Sequence, residues 1–153
     1  MPSTDQALRA LNHHYQSMPP VATMHLSIAG YDGERLRLHA PLAQHLNDKG
    51  NAFGGSLISL LTLASWGLVT MHVQAAGLEA DVYVADSEVR YLAPLYADIE
   101  AVSQLAEDAS WDDFIHMLRS RGRARTTLVA HVPLPDGRIA TTCRSRYVAI
   151  LKS

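Results

Sequence analysis

Residues 57–73 read LISLLTLASWGLVTMHV and lie within a longer segment, 50–78, that contains no Asp, Glu, Lys or Arg. A helix over this run is apolar on nearly all sides, so either lipid or protein has to surround it. The run is long enough to span a bilayer, yet it carries several hydroxyl side chains and has no flanking cluster of Lys or Arg. We therefore expect no membrane span, but a buried core helix that begins near Gly54 or Gly55 and ends before Gly77.

Strand-like segments lie on both sides of this helix, at 24–28, 36–40, 82–91, 99–105, 121–132 and 139–151. Turn residues separate them, such as the GYDG sequence at 30–33 between the first two. Short helices are predicted near the N-terminus and after Ser110, which can cap a helix. One long helix among many antiparallel strands indicates an α+β fold, in which a curved antiparallel β-sheet is wrapped around one long central α-helix.

The composition fits a single domain over residues 1–153, with 48% hydrophobic and 18% charged residues. A net charge of −2 lacks the basic excess that non-specific nucleic-acid binding requires. Cys143 is the only cysteine, which excludes an internal disulfide, and the eight histidines show no metal-ligand spacing, so we expect no metal site. The first residues lack the pattern of a signal peptide, which favours a cytoplasmic protein.

Three stretches carry a family resemblance: 47–55 (NDKGNAFGG) before the helix, 86–94 (DSEVRYLAP) on the third strand, and 121–125 (RGRAR) after the second short helix. Together with their spacing they resemble the hotdog superfamily of acyl-thioester enzymes. The likeness is greatest to the putative thioesterase family that also forms the C-terminal domain of YiiD-type acetyltransferases. The resemblance implies a hotdog fold and hydrolysis of acyl-CoA or acyl-carrier-protein thioesters. It also implies a homo-oligomer, either a dimer or a dimer of dimers, and no cofactor apart from the coenzyme A or phosphopantetheine of the substrate.

The same resemblance assigns catalytic roles at the start of the central helix. The backbone N–H of Gly55, together with that of Gly54, would hold the thioester oxygen, because free N–H groups at a helix N-terminus bind anions. Asn47 matches the asparagine that positions the attacking water or the thioester, and its amide can both donate and accept. On the local sequence alone, Asn47 is equally a turn-capping residue, and the glycine pair is a loop-to-helix turn.

Two residues depart from the family pattern. Phe53 stands where the common motif has histidine, and Thr62 stands where many relatives carry a catalytic Asp or Glu. Threonine can hydrogen-bond a water but cannot accept its proton at neutral pH. We include Phe53, Gly54, Ser59 and Thr62 in the substrate-binding set, although hydroxyls inside a helix more often bond to the carbonyl one turn back. The missing carboxylate supports an alternative function, a non-catalytic acyl-CoA binding domain of the same fold.

Asp86 is the remaining candidate for the general base. It follows the apolar run 82–85, and a carboxylate buried there has a raised pKa unless it is paired. The predicted mechanism has Asp86 and Asn47 handle the water while Gly55 holds the oxyanion. Alternatively, Arg90, four residues along on the same strand face, pairs with Asp86 as a structural ion pair.

Arginines at 121, 123 and 125 alternate with small residues, so we expect all three on the outward face of a strand. Together with Arg144 and Arg146 on the next strand, they form a patch that would suit the phosphates of coenzyme A or the acidic surface of an acyl carrier protein. Arg90, Arg123 and Arg125 are the arginines that we include in the substrate-binding set. A solvated arginine ladder that binds no ligand is the alternative.

Overall fold

The computed structural model describes residues 3–153. Its α-helices are α1 (Thr4–Ser17), α2 (Pro19–Ala22), α3 (Gly54–Ala75) and α4 (Trp111–Arg121). Its strands are β1 (Ser27–Tyr31), β2 (Arg35–Ala40), β3 (Ala80–Tyr91), β4 (Ile99–Leu105), β5 (Arg123–Pro133) and β6 (Ile139–Leu151). The charge-free segment of the sequence is therefore the core of α3, as predicted.

The six strands form one antiparallel sheet in the order β1-β2-β4-β5-β6-β3, so β1 and β3 lie at its two edges. Side chains alternate between its faces: on β5, Ala124, Thr126 and Leu128 are buried, while Arg123 and Arg125 are exposed. The buried face curves around α3, which contacts every strand from β2 to β6. The predicted α+β architecture, one sheet wrapped around one long helix, is confirmed.

The centre of α3 is enclosed by protein. Leu60, Leu61 and Leu68 are at most 1% exposed, and burial of each such side chain contributes about 1.5–3 kcal/mol to folding. Helix α1 packs on α3 through Tyr15, whose hydroxyl donates a hydrogen bond to the Leu63 carbonyl at 2.7 Å. The sheet and α1 together cover apolar surface of α3 that lipid would otherwise have to cover.

Gly67 permits the close approach of α1 and the sheet to α3. A Cβ atom at this position would lie 2.1 Å from the Tyr15 hydroxyl oxygen and 2.8 Å from a methyl carbon of Leu36. A glycine in the middle of a helix costs about 1 kcal/mol relative to alanine. The close contact of Tyr15 with the helix backbone explains why that cost is tolerated here.

Helix α3 is long and apolar enough to cross a membrane by length and composition, with a mean hydropathy of 1.5 over its most apolar window. However, 56% of that window is buried inside the protein. This degree of burial is typical of the core helix of a globular domain, which passes the same test.

The strand that contains Arg123 and Arg125 begins later than predicted. Arg121 is the last residue of α4, and Gly122 ends that helix with a φ of +74°. The Gly122 N–H donates to the Leu118 carbonyl at 2.8 Å, the left-handed C-terminal conformation that glycine adopts without strain. The prediction that Arg121 shares the strand face of Arg123 and Arg125 is therefore wrong.

The first strand also begins later than predicted, at Ser27 rather than at residue 24. Residues 23–25 instead form a turn after α2, in which His25 has a φ of +55°. Positive φ is uncommon for residues other than glycine. Since this turn contains no glycine, nothing in the sequence indicated it. This turn directs the Met24 carbonyl toward the loop that precedes α3.

Candidate active site

Helix α3 begins with two backbone N–H groups that have no acceptor among the described residues 3–153. Its N-cap residue, Phe53, has extended dihedral angles and offers no side-chain oxygen to the first turn. The N–H groups of Ser56 and Leu57 donate to the Phe53 carbonyl at 3.0 and 3.1 Å. Those of Gly54 and Gly55 remain free at the positive end of a helix of 22 residues.

An open cleft of about 410 Å³ lies beside this helix terminus. Gly55 and two hydroxyl side chains of α3, Ser56 and Ser59, form one of its walls. Phe53, which is 54% exposed, and Met24 supply apolar surface. Three residues of the predicted site, Phe53, Gly55 and Ser59, are therefore brought together in one place, next to Gly54.

His45 is one of the residues that line the cleft and is only 5% exposed. One ring nitrogen, Nε2, is 2.7 Å from the Met24 carbonyl oxygen, and the other, Nδ1, is 2.8 Å from Ser56 Oγ. A carbonyl oxygen only accepts, so Nε2 carries the ring hydrogen in the neutral imidazole. Nδ1 is then the acceptor, and the Ser56 hydroxyl donates to it.

Sequence reasoning missed both His45 and Ser56, because their contact depends on the path of the loop between them. The loop closes on itself where the Phe53 N–H donates to the His45 carbonyl at 2.7 Å, and an isolated bridge pairs Leu46 with Ala52. No spacing rule links a histidine to a serine eleven residues later across such a loop. The only available signal was that the two residues flank the 47–55 stretch, one on either side.

Asn47 lies in the same loop, where both polar atoms of its side chain take part in hydrogen bonds. Its Oδ1 accepts the backbone N–H groups of Lys49 and Asn51 at 2.8 and 3.2 Å, and its Nδ2 donates to Asn51 Oδ1 at 2.7 Å. These contacts are those of a turn-capping asparagine. Asn47 is not among the residues that line the cleft.

Asp86 lies on the outer face of the sheet and is not buried. Its side chain is 51% exposed, and its two carboxylate oxygens share the Nε–H of Arg146 at 2.9 and 3.0 Å, with a further contact from that guanidinium. The hydrogen bonds from Arg146 lower the pKa of the Asp86 carboxyl from its usual value. The predictions of a buried carboxylate and a raised pKa are therefore wrong.

A β-bulge explains why Asp86 points outward. Val82 and Val84 pair with Ala149 and Tyr147 on the inward face, and the register shifts between Val84 and Asp86. The extra residue, Ala85, moves the side chains that follow to the opposite faces. Without the bulge, Asp86 would continue the inward alternation of the two valines.

Arg90 does not pair with Asp86. Its nearest acidic partner is Glu88, 3.7 Å away. Arg123 and Arg125 are exposed on the outer face as predicted, and neither has an ion-pair partner within the described part of the chain. The three arginines of the predicted phosphate-binding set therefore lie outside the cleft.

The two predicted hydroxyl residues of α3 differ in their surroundings. Ser59 lines the cleft, and its hydroxyl donates to the Gly55 carbonyl one turn back at 2.7 Å. Thr62 does not reach the cleft, and its carbonyl accepts the Tyr147 hydroxyl at 3.2 Å. Within residues 3–153, no group of three or more His, Cys, Asp or Glu side chains could hold a metal ion.

The family model described as "Putative thioesterase (yiiD_Cterm)" matches residues 8–151. The chain belongs to this thioesterase family. That match covers the loop at 45–53, the first turn of α3 and every strand of the sheet. The family resemblance found in the three sequence stretches is thereby confirmed.

Solved structures similar to this member of the thioesterase family share its whole fold. A protein of unknown function from Chlorobaculum tepidum TLS is 28% identical, with a TM-score of 0.90 over 97% of this chain and 96% of that one. A putative thioesterase from Shewanella oneidensis is 26% identical, with a TM-score of 0.85 over 96% and 99%. A probable thioesterase from Pseudomonas aeruginosa, 18% identical, matches the fold with a TM-score of 0.80 over 99% and 97%. The fold is the hotdog fold.

The pairing of Asp86 with Arg146 can be tested by titration. We expect the Asp86 carboxyl to titrate below its ordinary value of 3.8, because the guanidinium stabilises the charged form. Carboxyl carbon NMR shifts followed with pH measure this directly. In the Arg146→Gln variant the pKa should rise toward the ordinary value, whereas Arg144→Gln should leave it in place. An Asp86 pKa above the ordinary range would restore this residue as a general-base candidate.

Proposed function

We propose that this protein hydrolyses acyl thioesters, of coenzyme A or of an acyl carrier protein, with the thioester carbonyl bound at the N-terminus of α3. The observation that carries the proposal is the pair of free N–H groups of Gly54 and Gly55 beside a partly apolar cleft. Membership of the thioesterase family supports the reaction class. The cleft offers both requirements of the substrate, a polar end for the carbonyl and apolar surface for the acyl chain.

The two N–H groups suit the charge that develops during thioester hydrolysis. Attack on the carbonyl carbon moves negative charge onto the carbonyl oxygen, and donors fixed in advance around that oxygen lower the barrier. One such donor is commonly worth about 2.7–4 kcal/mol of transition-state stabilisation. The positive end of the α3 dipole acts in the same direction. Because Phe53 provides no capping oxygen, no side chain competes with the substrate for these donors.

The proposal leaves Asn47 and Asp86 out of the chemical step. Every polar atom of the Asn47 side chain is engaged within its own turn, and Asp86 is held by Arg146 on the outer face of the sheet. A carboxylate with a lowered pKa is a weaker base than a free one. Neither side chain lines the cleft beside Gly55.

The donor role of the helix terminus is tested by comparing Gly54→Pro with Gly54→Ala. Proline removes the N–H but suits the first position of a helix, and the extended dihedral angles of Phe53 are those that a following proline requires. A Cβ atom at Gly54 would lie 3.4 Å from the nearest Tyr91 ring carbon, so alanine is a matched control that keeps the N–H. We expect kcat for the proline variant to fall about 10²–10³-fold relative to alanine.

The assay is thiol release from a panel of acyl-CoA substrates of different chain length. Equal rates for Gly54→Pro and Gly54→Ala would remove Gly54 from the oxyanion site. Saturable binding of acyl-CoA by the wild type without any thiol release would instead favour the alternative function, a non-catalytic acyl-CoA binding domain. The absence of a carboxylate among the described residues lining the cleft is the observation that favours that alternative.

We further propose that Arg123 and Arg125, with Arg90, contact the phosphates of coenzyme A or the acidic surface of a carrier protein. Support comes from the two exposed guanidinium groups on β5 that lack an ion-pair partner within residues 3–153. The Arg123→Ala/Arg125→Ala double variant should be inhibited less by free coenzyme A, by about tenfold for two weak exposed contacts. An unchanged inhibition constant would indicate that these arginines are solvated and bind no ligand.

We also propose that the protein is a homodimer joined along β3. Within the described residues this edge strand pairs with β6 alone, and it exposes large apolar side chains at Tyr83, Val84 and Tyr91. An unpaired strand edge has free backbone N–H and C=O groups, and when it also exposes apolar side chains, a strand of another chain can pair with it. A twofold axis would bring the same edge of both copies together, close to Tyr91, whose hydroxyl donates to the Gly54 carbonyl at 3.0 Å.

The dimer proposal is tested by placing a charge at this edge. Val84→Lys should shift the protein from dimer to monomer in light scattering after size exclusion, because the lysine would be buried without a partner. Met117→Lys on α4 is a matched control, since the two side chains are 43% and 44% exposed. A Val84→Lys variant that keeps the mass of the wild-type dimer would exclude this edge as the interface.

A further inference from the structure

We propose that Ser56 is a catalytic nucleophile, activated by His45, and that the reaction passes through an acyl ester on Ser56 Oγ. This inference rests on the proposed thioester hydrolysis and names the proton acceptor that the helix itself does not provide. It begins from three linked atoms: Ser56 Oγ, His45 Nδ1 at 2.8 Å, and the Met24 carbonyl at 2.7 Å from His45 Nε2. A nucleophile, a base and a group that orients the base are the three parts that such activation requires.

The orientation of the imidazole is fixed by the backbone. The Met24 carbonyl accepts the Nε2 hydrogen, so the neutral ring presents Nδ1 as an acceptor to Ser56. The next residue, His25, has a φ of +55°, an uncommon conformation that sets the direction of the preceding peptide group. Backbone conformations of this kind are found where the surrounding structure holds a functional group in place.

Burial decides which atom of the pair meets the substrate. His45 is 5% exposed, so its ring is shielded from solvent, and its accepting nitrogen is covered by Ser56. Ser56 is half-buried and lines the cleft next to Gly55. A thioester in the cleft therefore meets the serine oxygen, with the histidine behind it and the free N–H groups of the first helical turn beside it.

The reaction that follows is balanced by these groups alone. Ser56 Oγ bonds to the thioester carbonyl carbon while its proton moves to His45 Nδ1, and the oxyanion is held by the N–H groups of Gly54 and Gly55. Collapse of this intermediate breaks the C–S bond, and the leaving thiolate takes the proton from His45. Water then attacks the acyl ester, gives its proton to His45, and releases the carboxylic acid as Ser56 Oγ regains a proton.

The pair also supplies a proton acceptor that α3 itself lacks at the cleft. Thr62 does not line the cleft and cannot accept a proton at neutral pH. A neutral imidazole is a suitable base near neutral pH. The proton acceptor would then come from the loop before the helix instead of from the helix.

The first test is kinetic. Ser56→Ala and His45→Gln should each lower kcat for acyl-CoA hydrolysis about 10²–10⁴-fold, the usual range for loss of a proton-transferring group, with KM changed less than threefold. Ser120→Ala is a matched control, since that helical serine donates to the His116 carbonyl on α4, away from the cleft. A Ser56→Ala variant that melts at a lower temperature but keeps its kcat within threefold would show a structural role only and overturn the proposal.

The second test does not need a thioester. A fluorophosphonate probe should label the wild type at Ser56, located by peptide mass spectrometry, and should not label Ser56→Ala or His45→Gln. Labelling of Ser56 in a protein that hydrolyses none of the acyl-CoA panel would support the pair and overturn the thioesterase proposal. Hydrolysis of acyl-CoA by a wild type that is not labelled at Ser56 would overturn the pair alone.

Discussion

The burial of α3 inside the sheet is the constraint on which the rest of the molecule depends. A helix with no charged residue along its length has to bury most of its surface, and five strands and α1 pack against it. The small and apolar inward residues of β5 and the glycine beneath Tyr15 both follow from this close packing. The charged side chains of the strands are consequently left on the outer face.

The same constraint shapes the start of the helix. Helices α1 and α4 begin with Ser3 and Ser110, whose hydroxyls accept N–H groups of the first turn. Helix α3 begins instead with Phe53, which offers no such oxygen. Of the three long helices in residues 3–153, the most buried one is thus the one whose first N–H groups stay free. These groups lie where the helix emerges from the sheet beside an open cleft.

Sequence reasoning succeeded where the composition or the periodicity of one segment was enough to determine its structure. The bounds of α3 and the outward direction of Arg123 and Arg125 follow from composition and strand alternation, and both agree with the structure. It failed at Asp86 because one additional residue in β3 reverses the alternation, and no glycine or proline marks that bulge. It failed at Arg121 because Gly122 fits either a strand with small residues or the end of a helix.

The contact between His45 and Ser56 was beyond sequence reasoning for a different reason. It depends on closure of the loop from 45 to 53 and on the turn at His25, two non-local features that position a carbonyl, a ring and a hydroxyl in a row. None of the described residues lining the cleft is an Asp, Glu, Lys or Arg. In the proposed reaction, the negative charge on the thioester oxygen would therefore be met by the peptide dipoles of the first helical turn, while His45 takes up the proton of Ser56. Donors that are fixed in advance around the oxyanion need no reorganisation as the charge develops, which is consistent with a site at the end of a helix that excludes charge throughout.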